Sequence, residues 1–122
     1  MARLLLIAIV DDDPSFLRAT GGFIQSLGYD VAAFSSGEEF LASSRLDETA
    51  CLICDLHMPG LSGIELQKRL GVLGYTFPII FITAFAEAKA RGEALASGAL
   101  GFFDKPFREQ ELISCLERVT SR

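Results

Sequence analysis

Four short stretches carry groups suited to one kind of chemistry. They are Asp11, Asp12 and Asp13 in "DDD", Asp55 at the end of "CLICD", Thr83 at the end of "FPIIFIT", and the pair Asp104 and Lys105. Carboxylates brought close together repel one another unless a cation sits among them. Carboxylate, carbonyl and water ligands suit a hard ion, and Mg2+ typically keeps waters while taking one or two carboxylates and a phosphate. A carboxylate is also a nucleophile toward phosphorus, giving an aspartyl-phosphate. A cation, an ammonium and a hydroxyl would then steady the charge on the phosphoryl oxygens. Asp13 has a plainer use as a helix cap, because a helix pattern begins directly after it. The rest of the chemistry requires that the four stretches meet on one rim.

A regular series of elements would bring them there. "RLLLIAIV" is a continuous apolar run, the pattern of a strand covered on both faces. In "DDDPSFLRATGGFIQSLG", Pro14 suits a first helical turn, and Phe16, Leu17, Phe23, Ile24 and Leu27 recur at helical spacing up to Gly28. "YDVAAF" reads as a second strand and "SSGEEFLASS" as a short, serine-capped helix. "ACLICD" is a third strand, and "SGIELQKRLGVLG" is a helix carrying Ile64, Leu66, Leu70 and Leu73 and closed by Gly74. "FPIIFIT" is a fourth strand with its proline at the start, where no ladder donor is needed. "AEAKARGEALASG" is an Ala-rich helix weakened by Gly92, "ALGFFD" a fifth strand, and "FREQELISCLERV" a last helix with Leu112, Ile113, Leu116 and Val119 inward. Five strand–helix units with doubly buried strands predict an α/β fold: an open, doubly wound parallel sheet with helices on both faces. Such sheets bind ligands beyond the carboxyl ends of their strands, which is where Asp11, Asp12, Asp55, Thr83 and Lys105 fall.

Composition narrows the alternatives. A chain of 122 residues, 50% hydrophobic and 22% charged, is sized for one domain with a proper core. A net charge of −5 argues against a nucleic-acid surface, which needs clustered Lys and Arg. The apolar stretch Leu4 to Val10 runs into aspartates rather than a cleavage site, and no run reaches the ~20 residues of a membrane span. A cytoplasmic setting is expected. Cys51, Cys54 and Cys115 are an odd number, against a disulfide framework. Cys51 and Cys54 have redox or zinc spacing, but they sit three apart in a strand pattern and so point to opposite faces. Further ligands are also lacking, so buried thiols acting as small hydrophobes are expected.

"IVDDD", "CDLHMPGLSGIEL", "PIIFITA" and "SGALGFFDKPF" together resemble the receiver domain of bacterial two-component response regulators, in order and across the whole chain. The resemblance implies a (βα)5 sheet of flavodoxin-like strand order 2-1-3-4-5, with one receiver domain over residues 1–122 and any output domain outside this chain. It makes Asp55 the acceptor of a phosphoryl group from a sensor histidine kinase. Asp11 and Asp12 become the acidic pair, with Asp12 the more direct ligand of Mg2+, or of Mn2+ in its place. Asp55 and the backbone carbonyl of His57 complete the protein's share of the coordination. Lys105 would contact the phosphoryl group, Thr83 would move to hydrogen-bond it, and Phe102 falls at the switch-aromatic position. The Lys105–Pro106 bond is expected to be cis, as is usual in that family.

Some positions are variable ones. His57 is the chain's one histidine. Its imidazole either tunes hydrolysis near the phosphoryl group or is merely solvated, the second reading being favoured. Phe85, two after Thr83, would screen water from the phosphate and lengthen its lifetime. Gly21 and Gly22 weaken their helix by roughly 2 kcal/mol relative to alanines; close packing against a helix or a partner would explain them, and local fraying is the plainer reading. The sparsely anchored fourth helix suits an output surface.

The function expected is a switch that catalyses its own phosphoryl transfer and is not an enzyme with a separate substrate. Its outputs would include a phosphorylation-dependent homodimer, and transcription control through a C-terminal helix-turn-helix domain, the only part that would meet DNA. No membrane partner is expected. Two other classes compete. A receiver-like partner-binding module would usually lack an acidic residue, the acceptor or the Lys, and none is missing. An Asp-nucleophile phosphohydrolase usually has a second Asp where His57 stands. Flavodoxin-like cofactor binding needs a phosphate-cradling loop where "DDDP" stands instead.

Overall fold

The computed structural model describes residues 4–120, apart from the Thr120 side chain. Five parallel strands form one sheet: β1 (Leu6–Val10), β2 (Asp30–Phe34), β3 (Thr49–Cys54), β4 (Ile79–Thr83) and β5 (Gly101–Asp104). The helices α1 (Pro14–Ser26), α2 (Gly37–Leu41), α3 (Gly63–Val72), α4 (Ala88–Ala96) and α5 (Glu109–Thr120) alternate with them, and a 3-10 turn over Leu46–Glu48 leads into β3. The strand order is β2-β1-β3-β4-β5, the doubly wound order expected.

Alternation of side chains along the strands divides the core in two. Ala8, Val10, Leu52, Cys54 and Phe81 face one side with Phe40, Leu66, Leu70 and Ala94 from α2, α3 and α4. Ile7, Ile9, Cys51, Ile53, Ile80 and Ile82 face the other with Ile24, Leu112, Cys115 and Leu116 from α1 and α5. Each fully buried Ile, Leu or Phe contributes about 1.5–3 kcal/mol, so the central strands are the rigid part of the molecule. Cys51 and Cys54 lie on opposite faces as buried free thiols, in keeping with their spacing.

The apolar runs overreach at their ends. Leu4 and Leu5 precede β1 and are exposed, and the Arg3 end of that run lies outside the described residues. Leu27 and Leu73 are the C-caps of α1 and α3, past the last full turn, and both are exposed. In α3 the buried face passes through Gln67 instead, beside Gly63, Leu66 and Leu70. β2 is an edge strand and only half-buried. Gly28, Gly74 and Gly98 end α1, α3 and α4 with positive φ, which glycine alone adopts without strain.

Candidate functional site

β1 and β3 are neighbours in space, and the strand order reverses between them, so their carboxyl ends frame the crevice of the sheet. Asp11 follows β1 and Asp55 follows β3, and the N–H of Asp55 donates to the Val10 carbonyl at 3.1 Å, locking the two ends together. One carboxylate oxygen each from Asp11, Asp12 and Asp55 lies within 4.8 Å of the others. Asp12 is exposed, Asp11 is fully buried and Asp55 is 7% exposed.

Asp11 bears the electrostatic load. Its Oδ1 accepts the Asp13 N–H at 2.9 Å. Its buried Oδ2 makes no hydrogen bond, although Lys105 Nζ stands 2.8 Å away as an ionic partner off the hydrogen-bonding direction. Burial pushes the Asp11 carboxyl above its usual range against the pull of Lys105 and the Asp13 N–H, and the Asp55 charge adds to the rise. Lys105 Nζ also faces Asp55 Oδ2 at 3.3 Å. Burial opposes the ammonium charge, but the close carboxylates of Asp11 and Asp55 outweigh it and hold the Lys105 pKa above its ordinary value. Asp11 and Asp55 therefore share one ammonium, while Asp12 stands beside them. A buried carboxylate oxygen with no hydrogen bond, beside two more carboxylates, is a hard all-oxygen donor set that fits Mg2+ and not a softer metal.

The backbone fixes the other rim groups. Thr83 closes β4, is 1% exposed and is paired in register with Asp104. Its carbonyl accepts the Lys105 N–H at 2.9 Å, and its Oγ1 accepts the Phe85 N–H at 3.4 Å. The Lys105–Pro106 bond is cis. Under the rim, α3 begins with a reciprocal cap: Ser62 Oγ accepts the Glu65 N–H at 3.2 Å, while Glu65 Oε1 accepts the Ser62 N–H at 2.9 Å. Leu56, Met58 and Leu61 bury the loop between Asp55 and that cap.

The remaining expected residues lie around this cluster. The His57 N–H donates to Asp55 Oδ1 at 3.4 Å. Its imidazole is half-exposed yet not simply solvated: Nε2 lies 3.2 Å from the Phe85 carbonyl and 3.9 Å from Glu87 Oε1, and the ring meets the Phe85 ring edge-on at 6.2 Å. Phe85 itself is 72% exposed. Phe102 is buried away from the rim, against Phe81 at 6.1 Å, with the Arg91 guanidinium 5.7 Å from its ring centroid. Three neighbours were not legible as site residues. Phe16 reads as a helix core position but lies beneath Lys105 Nζ, 4.3 Å from the ring centroid. Gly63 underlies Asp55, and Arg91 lies in the Ala-rich fourth helix with nothing in the sequence to mark it. Only Gly63 had a signal, its place between the capping residues Ser62 and Glu65.

Comparison with known proteins agrees with this geometry. Residues 7–117 match the family model of the response regulator receiver domain. Nodulation protein W of Bradyrhizobium diazoefficiens is 39% identical over 117 residues, covering 96% of this chain and 52% of that protein. Response regulator protein TodT of Pseudomonas putida is 40% identical over 114 residues, covering 93% of this chain and 50% of that protein. Other relatives, TdiR and FixJ, are named transcriptional regulatory proteins. A solved structure of response regulator StyR superimposes with a TM-score of 0.86 at 37% identity, covering 96% of this chain and 59% of that one. The chain thus spans about half the length of the curated relatives it matches. With the sheet order, the rim and the family match in agreement, the chain belongs to the receiver domains of two-component response regulators.

Proposed function

We propose that this chain is a phosphorylation-controlled switch whose acceptor is Asp55. The observation that carries the reading is the convergence of Asp11, Asp12 and Asp55 within 4.8 Å, with Lys105 3.3 Å from Asp55. Asp11, Asp12, Asp55 and the His57 carbonyl would hold Mg2+ (Mn2+ can take its place), which when bound supplies positive charge to the phosphoryl oxygens. An Asp55 carboxylate oxygen attacks phosphorus, and the P–N bond of a phosphohistidine on a sensor kinase breaks. The departing imidazole keeps the electron pair and takes a proton. Lys105 leaves its carboxylate partners to neutralise a phosphoryl oxygen, and Thr83 turns its hydroxyl toward another. Phosphorylation adds about −1.5 to −2 charges, enough to bias a two-state surface that includes Phe102 and α4. The chain acts on no separate substrate.

The outputs are also inferred. Names such as transcriptional regulatory protein among the relatives support control of transcription by a helix-turn-helix domain in the other half of a longer protein, with or without a phosphorylation-dependent homodimer. Among the described residues no helix is long and apolar enough to cross a membrane, and the reading places the switch in the cytoplasm with its kinase.

Intact mass after incubation with acetyl phosphate and Mg2+ tests the proposal. A gain of about 80 Da, one phosphoryl group, is expected for the wild type and not for Asp55→Asn or without Mg2+. No gain in a protein shown to bind Mg2+ would overturn it in favour of a module that only binds partners.

A further inference from the structure

Lys105 is surrounded on three sides. Two are the carboxylates of Asp11 and Asp55, at 2.8 and 3.3 Å from Nζ. The third is the ring of Phe16, 4.3 Å below the ammonium. An ammonium over an aromatic face within about 6 Å is attracted by the ring quadrupole. The ring is itself held in place. Phe16 lies in the first turn of α1, where Asp13 Oδ1 accepts the N–H groups of Ser15 and Phe16 at 2.9 and 3.4 Å. The Phe107 ring meets it at 6.2 Å and 80°. The half-buried ring is therefore fixed from the helix cap and from the segment that follows Lys105.

We infer that Phe16 is a positioning residue for Lys105, its ring face holding the ammonium at the rim whichever oxygens it serves. The inference rests on the function proposed above, in which Lys105 exchanges carboxylate oxygens for a phosphoryl oxygen. Its two ionic contacts must loosen in that exchange. The contact with the ring need not. An aromatic face suits this task because it draws the ammonium without accepting a strong hydrogen bond, and so does not compete with the incoming oxygen. A purely structural Phe16 would be replaceable by leucine, which fills a similar apolar space. A positioning ring would be replaceable only by another aromatic.

The test compares the wild type with Phe16→Leu and Phe16→Tyr, using acetyl phosphate, a donor too small to need a protein docking surface. The first readout is the NMR shift of the Lys105 ε-methylene protons, which the ring current moves upfield while the ring lies beneath them. The others are the initial rate of mass gain and the equilibrium affinity for Mg2+. For Phe16→Leu the upfield shift should vanish and the rate should fall roughly two- to fivefold, the range open to a cation–π contact at a partly exposed site, with Mg2+ affinity unchanged. Phe16→Tyr should restore both the shift and the rate. A Leu variant that keeps the wild-type rate, or a Tyr variant that keeps the shift without restoring the rate, overturns the inference. If the wild type itself gains no mass, the proposed function fails. The proton shifts then still decide whether the ring holds Lys105.

Discussion

Gly63 lies directly beneath the backbone carbonyl of Asp55, so close that a Cβ on it would overlap that oxygen and stand 3.0 Å from Leu56 Cα. The Gly63 N–H donates to the Leu56 carbonyl at 2.9 Å, tying the start of α3 to the loop that follows Asp55. The obstacle is backbone and not the end of a flexible side chain, so one of the two segments must move to admit a methyl group. Gly63→Ala should destabilise the fold by about 1–3 kcal/mol, as overpacking does. It should also weaken Mg2+ binding by displacing Asp55. Urea unfolding and a Mg2+ titration of the same variant measure both, and a variant as stable as the wild type would show that the loop yields freely.

Asp11 and its neighbours make the acid response of the metal-free protein separable. The folded Asp11 carboxyl is raised above 3.8 by burial, so the folded state takes up its proton before the unfolded state does. Its contribution to folding therefore grows as pH falls through the raised pKa toward 3.8. Asp30, lowered by its Arg45 hydrogen bond, and Glu65, lowered by the Ser62 N–H, act in the opposite sense. Their stabilisation is present above the unfolded pKa and lost as pH falls through the folded one. Asp11→Asn removes the first contribution and leaves those of Asp30 and Glu65 in place. Without metal the variant should be the more stable at pH 7, and its advantage should shrink steadily with acid. Denaturation midpoints of both proteins across that window check the sign, and a constant difference would mean that Asp11 is not burdened by burial.

How much of this was legible in the sequence depended on what each residue answers to. Asp11, Asp55, Thr83 and Lys105 sit where apolar runs stop, and a parallel sheet leaves the ends of its strands on one rim. Cys51 and Cys54 were assigned to opposite faces by the two-residue period of a strand. Apolar character was a poorer guide at helix ends, where Leu27 and Leu73 continue the pattern after the turns that bury it have closed. Contacts that depend on the crossing of distant elements had no local signal. Phe16 meets Lys105 only because the segment after β5 and the first turn of α1 both reach the rim, and Arg91 meets Phe102 only through the way α4 packs on β5.

Gly21 and Gly22 illustrate the same limit. A Cβ on Gly21 would meet Val31 Cγ1 at 3.5 Å, ordinary contact, and one on Gly22 would meet nothing within 4 Å. Neither has a positive φ, so close packing does not explain the exposed Gly22. Gly22→Ala should stabilise the protein by about 0.5–1 kcal/mol through helix propensity and a less flexible unfolded chain. A thermal melt reads this, and a lower Tm would point to a role for the bare backbone at that position.

The helix α4 is held by polar contacts where its neighbours are held by apolar ones. Ala94 is its one buried residue, and Glu87 at its N-cap makes no side-chain capping bond. In place of a stripe, the buried Gln67 of α3 donates from Nε2 to the Ala94 carbonyl at 3.1 Å, and Arg91 covers Phe102. Gln67 Oε1 is buried without a hydrogen bond, so this clasp is half-satisfied and adds little net stability. Gln67→Leu relieves the orphaned oxygen, while the Ala94 carbonyl keeps the Ala99 N–H at 3.0 Å as a partner. Global stability should therefore stay within about 0.5 kcal/mol, since the lost bond and the lost penalty are of similar size. Local opening of α4 should nevertheless rise, by roughly tenfold in amide exchange if the donor bond is worth about 1–1.5 kcal/mol. Exchange in α1 and α5 should not change. Equal α4 exchange in the variant and the wild type would mean that Gln67 does not register the helix, leaving Arg91 and the surrounding apolar contacts to hold it.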